Sequence, residues 1–141
     1  YANGIKVAVI DSQADQVLSG IDVAVLNNFS VGAALTLEND QIVIGSNQEN
    51  ASFPCGICAE RVAIFSASAN FPNIRVKKIA ITANSHHFET QEPVGPCGAC
   101  RQVIWELCDD IIVYICNSKE LVKELKSSDL LPNPFNKSFL K

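Results

Sequence analysis

Methionine is missing from all 141 residues, including the first, and histidine, tyrosine and tryptophan together number five. A start without methionine is what truncation or processing leaves behind, so short motifs carry more weight here than long spacings. The two histidines are neighbours, His86 and His87, in a stretch that reads as a loop, where a surface position suits them better than a ligand role. No apolar run reaches the roughly 18 residues of a membrane span. The N-terminus also lacks a basic segment leading into an apolar signal core, so a cytoplasmic protein without membrane attachment is expected. Basic residues are outnumbered 11 to 15, for a net charge of −4. A long phosphate backbone would be repelled by that balance, so no nucleic acid polymer is expected as partner, and a small uncharged ligand fits better. There is no low-complexity linker and no internal repeat beyond two short cysteine boxes, which predicts a single domain over 1–141.

What the chain does contain is a core and a pattern. Apolar residues make up 48% and charged residues 18%, which excludes a disordered tail and a coiled coil. Ala14, Val17, Leu18, Ile21 and Val25 recur at helical spacing, predicting a helix over about Ser12 to Leu26. SVGAALTLE and QIVIGSNQE flank Asn39-Asp40, which predicts a hairpin with strands near 30–38 and 41–46. Ala59, Val62, Ala63 and Ala67 predict a helix starting close to Cys58, and Val103, Ile104 and Leu107 one starting close to Cys97. KKIAITA and DIIVYIC read as buried strands, while ELVKEL suits helix or strand. Strands alternating with helices imply a layered α/β sheet of two or three layers.

Chemistry concentrates in the two boxes, PCGIC (Pro54 to Cys58) and PCGAC (Pro96 to Cys100). Each stands at the start of a predicted helix, where unpaired N–H groups and the helix dipole favour a thiolate. Two such starts facing each other would make a metal site. If Cys55, Cys58, Cys97 and Cys100 all coordinate, the metal is a structural staple, although a chain with this much core needs none. A site of Cys58, Cys97 and Cys100 instead leaves one position open, as in catalytic zinc sites. Glu60, two residues past Cys58, then stands where a base is needed.

The combination Cys58-Ala59-Glu60 with Pro96-Cys97-Gly98-Ala99-Cys100 resembles the zinc-dependent cytidine deaminases, in particular the small homotetrameric type. The resemblance runs from about Phe29 to Phe135 through FSVGAALTLE, GSNQENASFPCGICAERVAIF, EPVGPCGACRQVIWEL and DLLPNPF. It implies a three-layer α/β/α fold with a mixed central sheet of about five strands. It also implies Zn2+ on Cys58, Cys97 and Cys100, and Glu60 as proton shuttle. Asn47 and Glu49 match the family's ribose-binding pair, Phe29 an aromatic lining the nucleoside pocket, and the backbone around Ala59 a pyrimidine contact. Phe135 resembles an aromatic that reaches a neighbouring subunit's site, so a homotetramer with shared active sites is implied. Three thiolates make a negative site, and Arg61 and Arg101 are placed to offset it by hydrogen bonds to sulfur; a solvated helix-surface position is the plainer reading of Arg101. The implied reaction is hydrolysis of cytidine and 2′-deoxycytidine to the uracil nucleosides in pyrimidine salvage.

Three features depart from the family: Gly95 stands where serine is common, DVAVLNNF replaces a tyrosine- and proline-containing approach to Phe29, and the N-terminal third matches poorly. Blasticidin S deamination is the alternative within the same chemistry, with Glu49 favouring a sugar hydroxyl. A non-enzymatic zinc module, in which Cys55 would matter as much as Cys58, and base editing within a polymer are the other classes. Cys108 and Cys116 read as small core residues, and Trp105 as packing against the sheet or a subunit interface.

Overall fold

A computed structural model of the chain describes residues 29–85, 91–117 and 122–140. The helix expected over Ser12 to Leu26 and the histidine pair lie outside those residues. Within them the order is β1 (Phe29–Leu37), β2 (Ile42–Ser46), α1 (Ala59–Asn70), β3 (Val76–Ser85), α2 (Gly98–Cys108), β4 (Ile112–Cys116), β5 (Val122–Lys126) and α3 (Ser127–Leu130), with 3-10 turns at Phe53–Cys55 and Lys137–Leu140. None of the described helices is long and apolar enough to cross a membrane.

The hairpin forms where Asn39-Asp40 predicts it. Asp40 sits at φ 65°, a left-handed conformation its short polar side chain tolerates, and the Asn39 side chain accepts the Gln41 N–H at 3.2 Å. The sheet order is β2-β1-β3-β4-β5. β1 pairs antiparallel with both β2 and β3, β3 parallel with β4, and β4 antiparallel with β5. ELVKEL, open between helix and strand, supplies the edge strand β5 with Lys123 and Glu124 exposed, a charged edge that discourages further pairing.

Register and alternation decide which side chains meet. Leu35 pairs with Val43 and Ile79, and Ile79 with Val113, so these point to one face together with Ala33, Leu37, Ile81 and Ile115. Burying each large aliphatic is worth about 1.5–3 kcal/mol. Ala59, Ala63 and Ala67 of α1 and Ile104 and Cys108 of α2 join this same cluster. The opposite face carries a smaller buried group of Ala34, Ala80, Tyr114 and Cys116. Cys108 and Cys116 are core residues as expected, and burial pushes the Cys108 thiol up to about 12. Leu107, expected on the inward face of its helix, is half exposed instead; Ile104 and Cys108 take the inward positions.

Topology then sets the position of the helix starts. β2 and β3 are both antiparallel to β1 and so run in the same direction. The β2-α1-β3 and β3-α2-β4 connections therefore join parallel strands and advance the same way along the sheet. Crossovers of one hand place both helices on one face, with their N-termini at the C-terminal edge of the strands. α1 lies close on β2, because Gly45 has no side chain: a Cβ there would stand 2.5 Å from the Ala59 carbonyl oxygen and 2.6 Å from the Ala63 nitrogen.

Candidate functional site

Cys58 is the N-cap of α1 and Cys97 the N-cap of α2, while Cys100 lies in the first turn of α2. Their sulfurs all fall within 4.8 Å of one another, and those of Cys58 and Cys97 are 3.7 Å apart. Tetrahedral zinc with Zn–S near 2.3 Å sets sulfurs roughly 3.8 Å apart, so this donor set fits that ion. Cys55 is exposed and stays outside the cluster, with its sulfur 3.6 Å from Ser52 Oγ.

Burial pushes the Cys58 and Cys100 thiols up. At Cys97 burial acts in the same sense, but hydrogen bonds from the Cys100 backbone and from the neighbouring thiols outweigh it and the thiol is lowered. A cation among the three sulfurs reverses the cost of thiolate charge. Arg61 donates Nη2 to Cys58 Sγ at 3.6 Å, and this contact, ahead of its opposing desolvation, raises the guanidinium further above its already high range.

Glu60 is only 3% exposed. Burial raises its carboxyl, against the weaker pull of a backbone hydrogen bond, Cys100 and Arg61. Its Oε2 has no hydrogen-bond partner among the described residues. An unpaired buried carboxylate oxygen is costly, and perturbed carboxyls of this kind concentrate at functional sites. Glu60, Cys58 and Cys97 line a pocket of about 430 Å³, within the roughly 300–1,000 Å³ range of small-molecule sites.

Phe29, Asn47 and Glu49 line the same pocket. Asn47 Oδ1 accepts the Val31 N–H at 2.9 Å, while Nδ2 donates to the Phe29 carbonyl at 3.1 Å and to Glu49 Oε1 at 3.0 Å. One carboxamide thus joins the strand bearing the aromatic to the loop bearing the carboxylate. Ala59 is fully buried, and the pocket wall is formed by its neighbours Cys58 and Glu60. Phe135 is away from this chain's pocket: it is 60% exposed and stacks on Phe139 with ring centroids 5.7 Å apart. Arg101 takes neither the sulfur contact nor the solvated helix-surface position weighed for it. Its Nε donates to the Pro96 carbonyl at 2.7 Å and Nη1 to the Leu130 carbonyl at 3.0 Å.

Sequence reading missed several walls of the pocket, among them Phe53, Ile57 and Val94. Phe53, 83% exposed at the pocket, was open to notice, since a large aromatic directly before PCGIC lies within reach of whatever Cys58 holds.

Three sulfurs at two helix starts, beside a buried carboxyl and a small-molecule pocket, define a zinc-dependent hydrolytic centre on an α/β sheet. Residues 15–116 match the family described as the cytidine and deoxycytidylate deaminase zinc-binding region. A cytidine deaminase of Halalkalibacterium halodurans is 43% identical over 110 residues, 77% of this chain and 79% of that protein. One from Sporosarcina psychrophila is 41% identical over 116 residues, 81% and 80% of the two chains. The crystal structure of the Burkholderia pseudomallei cytidine deaminase superposes with a TM-score of 0.78 at 35% identity, covering 91% of this chain and 98% of that one. The chain belongs to the zinc-dependent cytidine deaminase family, and Zn2+ is the metal suited to its Cys58, Cys97 and Cys100 cluster.

Proposed function

We propose that this chain is a single catalytic domain that hydrolyses cytidine, and 2′-deoxycytidine, to the uracil nucleosides with release of ammonia. The observation that carries this reading is the juxtaposition of three clustered sulfurs with the buried, raised carboxyl of Glu60 in one pocket. Zinc bound to Cys58, Cys97 and Cys100 supplies Lewis acidity that makes water available as a nucleophile near neutral pH. Glu60 does the proton work: its carboxylate accepts one proton from the attacking water and delivers it to the ring nitrogen N3, then takes the remaining proton from the hydroxyl added at C4 and passes it to the amino group, which leaves as ammonia as the C4 carbonyl forms. Burial disfavours its charged form, and a cation on the neighbouring sulfurs would act in the opposite sense. Arg61 offsets the thiolate charge through Cys58.

Glu49, held by Asn47, would accept a hydrogen bond from a sugar hydroxyl, with Phe29 against the nucleoside and the backbone around Ala59 toward the base. Shared sites in a homotetramer are supported by the exposure of Phe135 away from its own pocket and of Phe53 at the pocket. Phe135 would then reach a neighbouring copy's nucleoside. A cytoplasmic role in pyrimidine salvage agrees with six cysteines that are all free. The deciding experiment compares uridine formation by the zinc-loaded protein and its Glu60→Gln variant. The parent should turn over cytidine and the variant should bind zinc normally yet lose about 10²–10⁴ in rate; near-parental turnover in the variant would remove Glu60 from the mechanism.

A further inference from the structure

The C-terminal segment is fastened to the helix that carries two of the metal ligands, and Arg101 stands at the junction. Three side chains of α2 grip the backbone of that segment. Arg101 Nη1 donates to the Leu130 carbonyl at 3.0 Å, Gln102 Nε2 to the Phe135 carbonyl at 2.7 Å, and Glu106 Oε1 accepts the Lys137 N–H at 3.3 Å. The second arm of the Arg101 fork, Nε, donates to the Pro96 carbonyl at 2.7 Å. That carbonyl belongs to the planar peptide unit that also contains the nitrogen and Cα of Cys97. Fixing its oxygen therefore fixes the backbone from which a metal-binding sulfur projects.

We propose that Arg101 is a positioning residue that couples the seating of the C-terminal segment to the geometry of the metal centre, acting through the Pro96 and Leu130 carbonyls and not through the thiolates. This rests on the reading of Cys58, Cys97 and Cys100 as the zinc site. A guanidinium suits the task because its N–H groups point in fixed, divergent directions and can hold two carbonyls at once. A lysine ammonium keeps the charge but lacks that fork. When the segment loosens, Arg101 loses the acceptor that orients it, and the Pro96–Cys97 unit gains freedom that the three-sulfur site must remove on binding its ion.

The test measures zinc affinity by chelator competition, together with the thiolate-to-metal absorption of the cobalt-substituted protein, in four proteins and their combinations: the parent, Arg101→Gln, Arg101→Lys, and the surface pair Gln102→Ala with Glu106→Ala. Arg101→Gln is expected to weaken zinc by about 10- to 100-fold, the scale of losing a group that orients a metal ligand. Arg101→Lys should stay weakened, with a shifted cobalt spectrum. The surface pair, which leaves the metal loop untouched, should weaken zinc only when Arg101 is present. Parental affinity and spectrum in Arg101→Lys would overturn the proposal, since charge alone would then suffice. So would an effect of the surface pair that is equal with and without Arg101. A parent that binds no zinc would defeat the zinc reading itself, an outcome distinct from a zinc-binding parent whose Arg101 variants are unchanged.

Discussion

Replacing Gly45 by alanine should damage stability moderately and activity far more. The added Cβ would lie 2.5 Å from the Ala59 carbonyl oxygen, 2.6 Å from the Ala63 nitrogen and 3.0 Å from the Ala63 Cβ. An ordinary nonbonded contact sits near 3.5 Å, so the two backbone atoms must retreat by roughly 1.0 and 0.9 Å. Overpacking of this kind costs about 1–3 kcal/mol, which for a chain of this length lowers Tm by about 3–10 °C. The retreating atoms belong to the first turn of α1, and Cys58 and Glu60 move with them. A displacement near 1 Å at reacting groups is worth on the order of 100-fold in rate. Calorimetry of the zinc-loaded variant alongside cytidine turnover checks both figures. A second change, Ala63→Gly, should not rescue the variant, because the two shortest contacts are to backbone. Parental Tm and turnover in Gly45→Ala would refute the view that close helix-to-strand contact positions the site.

Two further substitutions address the scaffold. Asp109, at φ 61° and ψ −151°, occupies a region that suits glycine. Its ion pair with Arg75 is solvent-exposed and worth little, so Asp109→Gly should stabilise the chain by about 1 kcal/mol in denaturant titration, and a loss of stability would contradict the strain. Asp110 is exposed, and hydrogen bonds donated by the Ser128 N–H and then its hydroxyl hold its carboxyl below the usual range. A depressed folded-state value supports stability above the pKa of an unstructured aspartate and loses that support as pH falls through the lowered value. Asp110→Asn should therefore show a shallower fall in Tm between about pH 5 and about pH 2 than the parent, and parallel curves would disprove the linkage.

Hydrophobic alternation and helix starts made most of the elements readable. The hairpin, both helices that begin at cysteines, and the strands KKIAITA and DIIVYIC follow local rules; the gathering of Cys58, Cys97 and Cys100 without Cys55 does not, and was implied by the family resemblance alone. What escaped reading depends on distant partners. Arg101, next to Cys100, was open between a sulfur donor and a solvated helix-surface residue, but its acceptor at Leu130 lies 29 positions away and no local pattern announces it. Leu107 shares its helix's apolar spacing, yet which side of the stripe meets the sheet is set by the placement of the whole helix. ELVKEL alternates weakly enough that pairing with β4 had to decide it. Nothing in the run QIVIGSNQE marks Gly45 as a place where α1 lies close on the sheet.

The two crossovers also order events during synthesis. Cys58 is made 39 residues before Cys97, and a chain halted between them owns one of the three sulfurs and the carboxyl, but no place to keep an ion. The first crossover can settle on the growing sheet, while the metal must wait for α2 to be made and to dock beside α1. Because a site of this kind is absent from the unfolded chain, zinc uptake adds its binding free energy only to molecules that have finished folding. In a cell where free zinc is scarce, the ion would thus act as a seal on completed molecules, leaving unfinished chains unmetallated.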